Sequence, residues 1–311
     1  MPHSPIAPIS IGEPIRHRSP AGTVSRSSWI NPEVSTPCIL ARSVLNTIFI
    51  KDNSTQLILY VLKGSGLKSK VSYMYGSVSM QIKLVPGNSA GTVTTFYLSS
   101  SGPGHDEIDF EFLGNVSGQP YTIHTNIFTK GAGQREQQFK ALWFNPTDGY
   151  HNYTIQWTPY SVVVSNPLVF FFFFFRWLVD SVPIRVFRNF HDSEINFPDS
   201  QPMNVYASLW NADDWATQGG RVKTDWLLAP FVANFQTYNP NSCYCPEQNS
   251  VWKCSSYNSA NWWTDSSKYY QLTETQYYQM KWIRDNYMIY DYCPAAMAVG
   301  KFPKECSLNQ N

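Results

Sequence analysis

The sequence predicts an all-β fold, an antiparallel sandwich or jelly roll. Three observations carry that expectation. Many short segments alternate apolar and polar residues with a period of two, as half-buried strands do. Breaks rich in Pro, Gly and Asn separate them at short spacing. No helical periodicity lies between them, which leaves strands packing on strands.

The elements follow in order. Residues 1–50 hold 7 of the 21 prolines and little periodicity, so loop or disorder is expected there. The Gly-Ser-Gly at 64–66 is too short a signal for a phosphate loop and reads as a turn. Val78, Met80, Ile82 and Leu84 alternate with Ser77, Ser79, Gln81 and Lys83, which predicts a strand. "VPGNSAG" then supplies a turn and "TVTTFYLSS" its return strand. Further strands are expected at "HDEIDFEFLGN", "PYTIHTNIFT", "QQFKALWF" and "HNYTIQWT". Six consecutive phenylalanines, Phe170 to Phe175, match neither a strand nor a helix pattern. They predict a loop or hairpin bulging at 165–176, with Val162–Val164 and Leu178–Asp180 in flanking strands. Near the end, Thr273 and Gln276 make a capping-box pattern ahead of Tyr278 and Trp282 at i and i+4, which predicts a helix.

Composition narrows the function. A net charge of +1 without a polybasic run excludes an electrostatic nucleic-acid footprint. The longest apolar run, Leu168 to Phe175, is far short of the ~20 residues of a membrane helix, and the first twenty residues have no signal-peptide apolar core. Aromatics reach 16% with 11 Trp, more than a core needs, and flat apolar faces with polar edges suit stacking on sugar rings. Cys243, Cys245, Cys254, Cys293 and Cys306 cluster late in the chain while Cys38 stands apart. They lack the paired spacing of a zinc site, and disulfides in an oxidising compartment are the better reading. An odd count leaves one of Cys243 and Cys245 spare.

The segment 105–115 carries the chemistry. On a strand, Glu107, Asp109, Glu111 and His105 share one face, with Ile108, Phe110 and Phe112 on the other. Like charges on one face repel and cost stability unless something uses them. Glu107 and Glu111 lie ~13 Å apart along a strand, and side chains leaning inward leave a carboxyl gap of about 5 Å. That is the separation of a retaining glycosidase. A straight row does not converge as a calcium site must, so no metal and no cofactor is expected.

"HDEIDFEFLGN" resembles the active-site strand of glycoside hydrolase family 16, and most closely that of the plant xyloglucan endotransglucosylase/hydrolases. "MQIKLVPGNSAGTVTTFYLSS", "GAGQREQQFKALWFNPT", "PIRVFRNF", "QPMNVYASLWNADDWATQGGRVKTDW" and "YDYC…FPKEC" extend the resemblance, in order, from about residue 54 to 306. It implies a jelly roll with a catalytic cleft over 51–238 and a helix-containing C-terminal extension over 239–311, with 1–50 atypical. It implies Glu107 as nucleophile, Asp109 as its helper and Glu111 as acid/base. Sugar contacts are implied at His124, Thr125, Asn126, Gln134, Arg135, Glu136, Asp214, Trp215 and Gly219, with Trp210 as a stacking platform and Lys301 where many members have Arg. Asn115 matches the glycosylation site of the family. Cys293–Cys306 and a bridge from Cys254 to Cys243 or Cys245 are the implied disulfides. The implied partners are a xyloglucan donor and a xyloglucan oligosaccharide acceptor, met by a secreted monomer in the cell wall and apoplast. A glucan-binding product without turnover is the alternative, on account of the unusual N-terminus and the Phe run.

Overall fold

The computed structural model describes residues 9–10, 46–51, 54–60, 64–140, 143–158, 173–189, 195–247, 250–256, 261–264 and 272–308. Its strands are β1 (Ile9–Ser10), β2 (Asn46–Lys51), β3 (Ser54–Leu59), β4 (Ser65–Lys83), β5 (Thr92–Ser99), β6 (Glu107–Leu113), β7 (Thr122–Phe128), β8 (Gln137–Lys140), β9 (His151–Trp157), β10 (Phe173–Val179), β11 (Val182–Asn189), β12 (Met203–Asn211), β13 (Phe231–Tyr244) and β14 (Met288–Asp291). Helices α1 (Val251–Ser255), α2 (Glu274–Tyr287) and α3 (Tyr292–Ala298) follow late in the chain.

One antiparallel network makes two packed layers, because β4 belongs to both. Residues 65–73 of β4 pair with β12, which begins the run β4-β12-β5-β6-β7-β8-β14. Residues 76–82 pair with β9, which begins the run β4-β9-β10-β11, and β13 and β3 extend this second layer on the other side. The change of layer falls at Tyr75 and Gly76, both at positive φ (63° and 113°). Glycine is required at 76, since a Cβ there would collide with Ser242 of β13.

Alternation fills the space between the layers. Phe96, Phe110 and Phe112 from the first meet Tyr153, Phe175 and Trp177 from the second, all fully buried. The Tyr153 ring stands edge-on to Phe112 at 4.6 Å and to Phe110 at 5.7 Å. Each such side chain contributes about 1.5–3 kcal/mol by burial. Val78, Met80, Ile82 and Leu84 face this core as their spacing predicts, with Ser77, Ser79, Gln81 and Lys83 outward.

Several expectations are corrected. β5 is not the return strand of β4: β12 lies between them, paired Ala207 to Phe96 on one side and to Leu67 on the other. The Gly-Ser-Gly is no turn, because Ser65 and Gly66 begin β4. Gly64 lets the chain pass close to Trp210, whose Cβ a side chain at 64 would strike. Residues 46–50 form an edge strand on β3, and 9–10 pair with β4, where loop was expected. The strand at "QQFKALWF" ends at Lys140, and 141–142 lie outside the described residues.

The Phe run also departs from its expectation. Phe173, Phe174, Phe175 and Arg176 belong to β10, so the bulge cannot extend to 176. Phe175 alternates with Trp177 and Val179 as a core residue, and stacks on Phe197 at 4.4 Å. Asp180 lies in the turn after β10, and Val162–Val164 fall outside the described residues.

The C-terminal helix α2 starts as predicted. Thr273 accepts from the Gln276 amide at 3.2 Å, and the Gln276 side chain accepts from the Thr273 amide at 3.1 Å. Its buried face is Met280 and Ile283, however, while Tyr278 and Trp282 are exposed. Cys243 bonds Cys254, and Cys293 bonds Cys306. Cys245 is the spare thiol, buried.

Candidate active site

β6 lies between β5 and β7, and register decides what surrounds the acids. Glu107 sits opposite Ser99 and Phe128, Asp109 opposite Tyr97 and Asn126, and Glu111 opposite Thr95 and His124. Beyond β5, Tyr206 of β12 pairs with Tyr97, their rings stacked at 4.9 Å, and Lys68 of β4 lies over Tyr206 at 5.5 Å. The acids therefore form a row across a floor of hydroxyls and aromatic rings. Ile108, Phe110 and Phe112 are fully buried on the opposite face, which fixes the row outward.

The three carboxyls differ in environment. Glu107 is half-buried, with His105 Nε2 at 3.8 Å. Burial raises its pKa, while Ser99, His105 and Asp109 act in the other direction. Asp109 is buried, and burial, Glu107 and Glu111 together hold its pKa well above the usual carboxylate range. Their mutual hydrogen bond raises Asp109 and lowers Glu107, so Asp109 holds its proton more tightly than Glu107 does. Glu111 is pushed up to about 7 by burial, then by Glu107 and Glu136. All three carboxyls of the row are raised, with Glu111 poised near neutrality.

His124 lies 3.7 Å from Glu111 through Nδ1. Burial lowers its pKa to about 4, so the imidazole is neutral near pH 7. Neither ring nitrogen has a hydrogen-bond partner among the described residues. Trp215 stands edge-on to it at 6.4 Å, and Trp210 lies 6.1 Å from Trp215. β12 and the segment after it thus bring two indoles to the Glu111 end.

Two expected sugar contacts face elsewhere. The Thr125 side chain is turned to the core by strand alternation, where it donates to the Gln137 carbonyl and accepts from Arg185. Arg135 forms an ion pair with Glu305 at 2.7 Å and donates to Thr129 Oγ1 at 2.9 Å. Asn126 accepts from the Ile127 and Arg135 amides, which holds the loop beyond β7 against the acid face. Gln134, Asp214, Gly219 and Lys301 are exposed on loops, and Glu136 is half-buried. Asn115 follows β6, half-buried, its Nδ2 donating to the Pro120 carbonyl at 3.0 Å. The sequence reading missed Ser99, Tyr97 and Tyr206, although the alternation in "TVTTFYLSS" and "NVYASLW" places them on one face.

Residues 41–228 match Glycosyl hydrolases family 16. The chain belongs to this family. Residues 257–306 of this family 16 chain match the Xyloglucan endo-transglycosylase (XET) C-terminus, which takes in α2, β14, α3 and the Cys293–Cys306 bridge. The chain is 48% identical over 260 residues to xyloglucan endotransglucosylase/hydrolase protein 22 of Arabidopsis thaliana, covering 83% of this chain and 86% of that protein. It is 47% identical over 259 residues to xyloglucan endotransglucosylase protein 34 of Populus tremula x Populus tremuloides, covering 83% and 82%. Among solved structures, a prokaryotic β-1,3-1,4-glucanase (lichenase) from a mouse hindgut metagenome is similar with TM-score 0.46 at 24% identity, covering 62% of this chain and 83% of that one.

Proposed function

We propose that the chain cleaves the β-1,4-glucan backbone of xyloglucan with retention, and transfers the cleaved chain to another xyloglucan chain end or to water. The observation that carries this reading is the row of Glu107, Asp109 and Glu111 on the outward face of β6, with Glu111 pushed up to about 7. Glu107, ionised and hydrogen-bonded by Asp109, attacks the anomeric carbon. Glu111, protonated below about pH 7, gives its proton to the departing sugar oxygen. The resulting glycosyl-enzyme is released when Glu111, now ionised, removes a proton from the acceptor hydroxyl or from water. Asp109 keeps the proton that it shares with Glu107 and so moderates charge as the nucleophile departs.

The relatives named for xyloglucan transfer support the substrate, as does the matching C-terminal extension. His124, Trp210, Trp215 and Glu136 around Glu111, with Asn126 beside Asp109, make the sugar contacts in this reading. The exposed Gln134, Asp214, Gly219 and Lys301 complete that set of sugar contacts, and Asn115 is the glycan acceptor. Two disulfides suit an oxidising compartment, in keeping with secretion to the plant cell wall, where the chain acts as a monomer. The complete acid row argues against a glucan-binding product without turnover.

The test is transfer onto a labelled xyloglucan oligosaccharide. The wild type is expected to elongate the label, and Glu107→Ala to lose turnover while still binding the oligosaccharide. Transfer at wild-type rate by Glu107→Ala would remove Glu107 from the mechanism.

A further inference from the structure

A buried cation lies behind the acid row, and the chemistry described so far does not use it. Arg185 of β11 is 1% exposed. Its Nη1 donates to both the Thr125 carbonyl and Thr125 Oγ1 at 2.8 Å, and its Nη2 donates to the Arg135 carbonyl at 2.6 Å. Every one of these acceptors is neutral. Nε has no hydrogen-bond partner among the described residues. A buried charge held only by neutral acceptors is costly unless a counter-charge lies near.

The path from Arg185 to the row is short. Its guanidinium lies over the Trp177 ring at 4.7 Å, a cation–π contact in a dry site. Trp177 is fully buried in β10, and its Nε1 donates to the Asp109 carbonyl at 2.9 Å. That bond crosses from the second layer to the first and ends at the middle residue of the row. Thr125, which Arg185 grips, lies between His124 and Asn126, the partners of Glu111 and Asp109 in register. One stacked pair therefore holds both β6 and β7 from behind.

We propose that Trp177 and Arg185 are positioning residues for the acid row: Trp177 fixes the Asp109 backbone, and Arg185 holds Trp177 and the Thr125 backbone in place behind it. The ionisable groups around Arg185 and the row are few. On the first layer they are His105 before β6, Glu107, Asp109 and Glu111 of β6, His124 of β7, Tyr97 of β5, Tyr206 of β12 and Lys68 of β4. From the segment before β8 come Arg135 and Glu136, and from the C-terminal extension Arg284, Asp291, Tyr292 and Glu305. Arg284 pairs with Asp291 at 3.0 Å and Arg135 with Glu305 at 2.7 Å. Burial works against the Arg185 charge, and Tyr292 and Asp291 act to keep it. In the row Arg185 acts on Asp109, where it draws down a pKa that burial, Glu107 and Glu111 raise.

The inference rests on the catalytic reading of the acid row, so wild-type transfer on xyloglucan is measured first; absence of transfer there would count against that reading alone. In the active enzyme, kcat and KM are then compared for wild type, Arg185→Lys, Arg185→Met and Trp177→Phe. Arg185→Met loses the hydrogen bonds to the Thr125 and Arg135 carbonyls and the cation over Trp177, and kcat is expected to fall about tenfold with KM unchanged. Arg185→Lys keeps a cation and a donor and is expected to recover part of that loss. Trp177→Phe keeps an aromatic ring and loses the indole donor, and kcat is likewise expected to fall about tenfold with KM unchanged. A merely structural pair would lower melting temperature and leave kcat where it is. Wild-type kcat in Arg185→Met or in Trp177→Phe overturns the proposal. If neither Arg185 variant folds, Trp177→Phe decides it alone.

Discussion

At the scale of single residues, the row gains its chemistry from burial more than from mutual repulsion. Burial is the first cause of the raised pKa at Glu107, Asp109 and Glu111 alike. Stability should record it. Glu111 titrates near 4.5 in the unfolded chain and near 7 in the fold, so the folded state binds its proton more tightly. That contribution is complete below about pH 4.5 and is lost as pH rises through 7. His124, moved from 6.5 to about 4, acts oppositely: its contribution is present above 6.5 and lost as pH falls toward 4. The two overlap, so the difference between wild type and Glu111→Gln isolates Glu111. Urea unfolding over pH 4.5–7 is expected to show wild type losing stability relative to Glu111→Gln, by up to a few kcal/mol. A flat difference would place the Glu111 pKa at its ordinary value. In activity the same group sets the alkaline limb, and turnover is expected to fall as pH rises through about 7.

At the scale of elements, what was legible in the sequence was local. The alternation of Glu107 to Phe112 fixed which side chains point outward, and the Thr273–Gln276 box fixed the start of α2. What was not legible depended on distant partners. Nothing near 92–99 announces that β12, over a hundred residues later, separates β5 from β4. Thr125 and Arg135 stand in a polar motif, yet one faces the core and the other pairs with Glu305. The Phe run misleads for a related reason: six identical residues carry no period, so composition could not mark where a core strand begins. Phe175 marks it in the fold, stacked on Phe197 and 6.4 Å from Phe187. Phe175→Ala is expected to cost about 3–5 kcal/mol in urea unfolding. A loss under about 1 kcal/mol would mean that the register of β10 differs from the one described.

At the scale of the whole molecule, the C-terminal extension is joined to the acid-bearing layer rather than appended to it. β14 pairs with β8 at the layer's edge, and Gln137 donates to Asp291 at 2.9 Å. Arg135 and Glu305 form the deepest tie, with side chains 12% and 7% exposed. Arg135 immediately precedes Glu136, one of the charges that raises Glu111, so this tie also bears on the site. Glu305 is adjacent to Cys306, whose bond to Cys293 closes the segment that carries it. Removing one partner of a buried pair leaves the other charge stranded, at a cost of about 3–5 kcal/mol. Glu305→Ala is therefore expected to lower the melting temperature sharply, and the exposed Lys281–Asp285 pair of α2 gives the contrast, with Lys281→Ala leaving it unmoved. Replacing Cys293 and Cys306 together by Ser is expected to cost about 2–4 kcal/mol by freeing the same segment. Because bridge and ion pair order one loop, combining the changes should cost less than the sum of the two. Strict additivity in the combined variant would show that the bridge and the ion pair hold the extension independently.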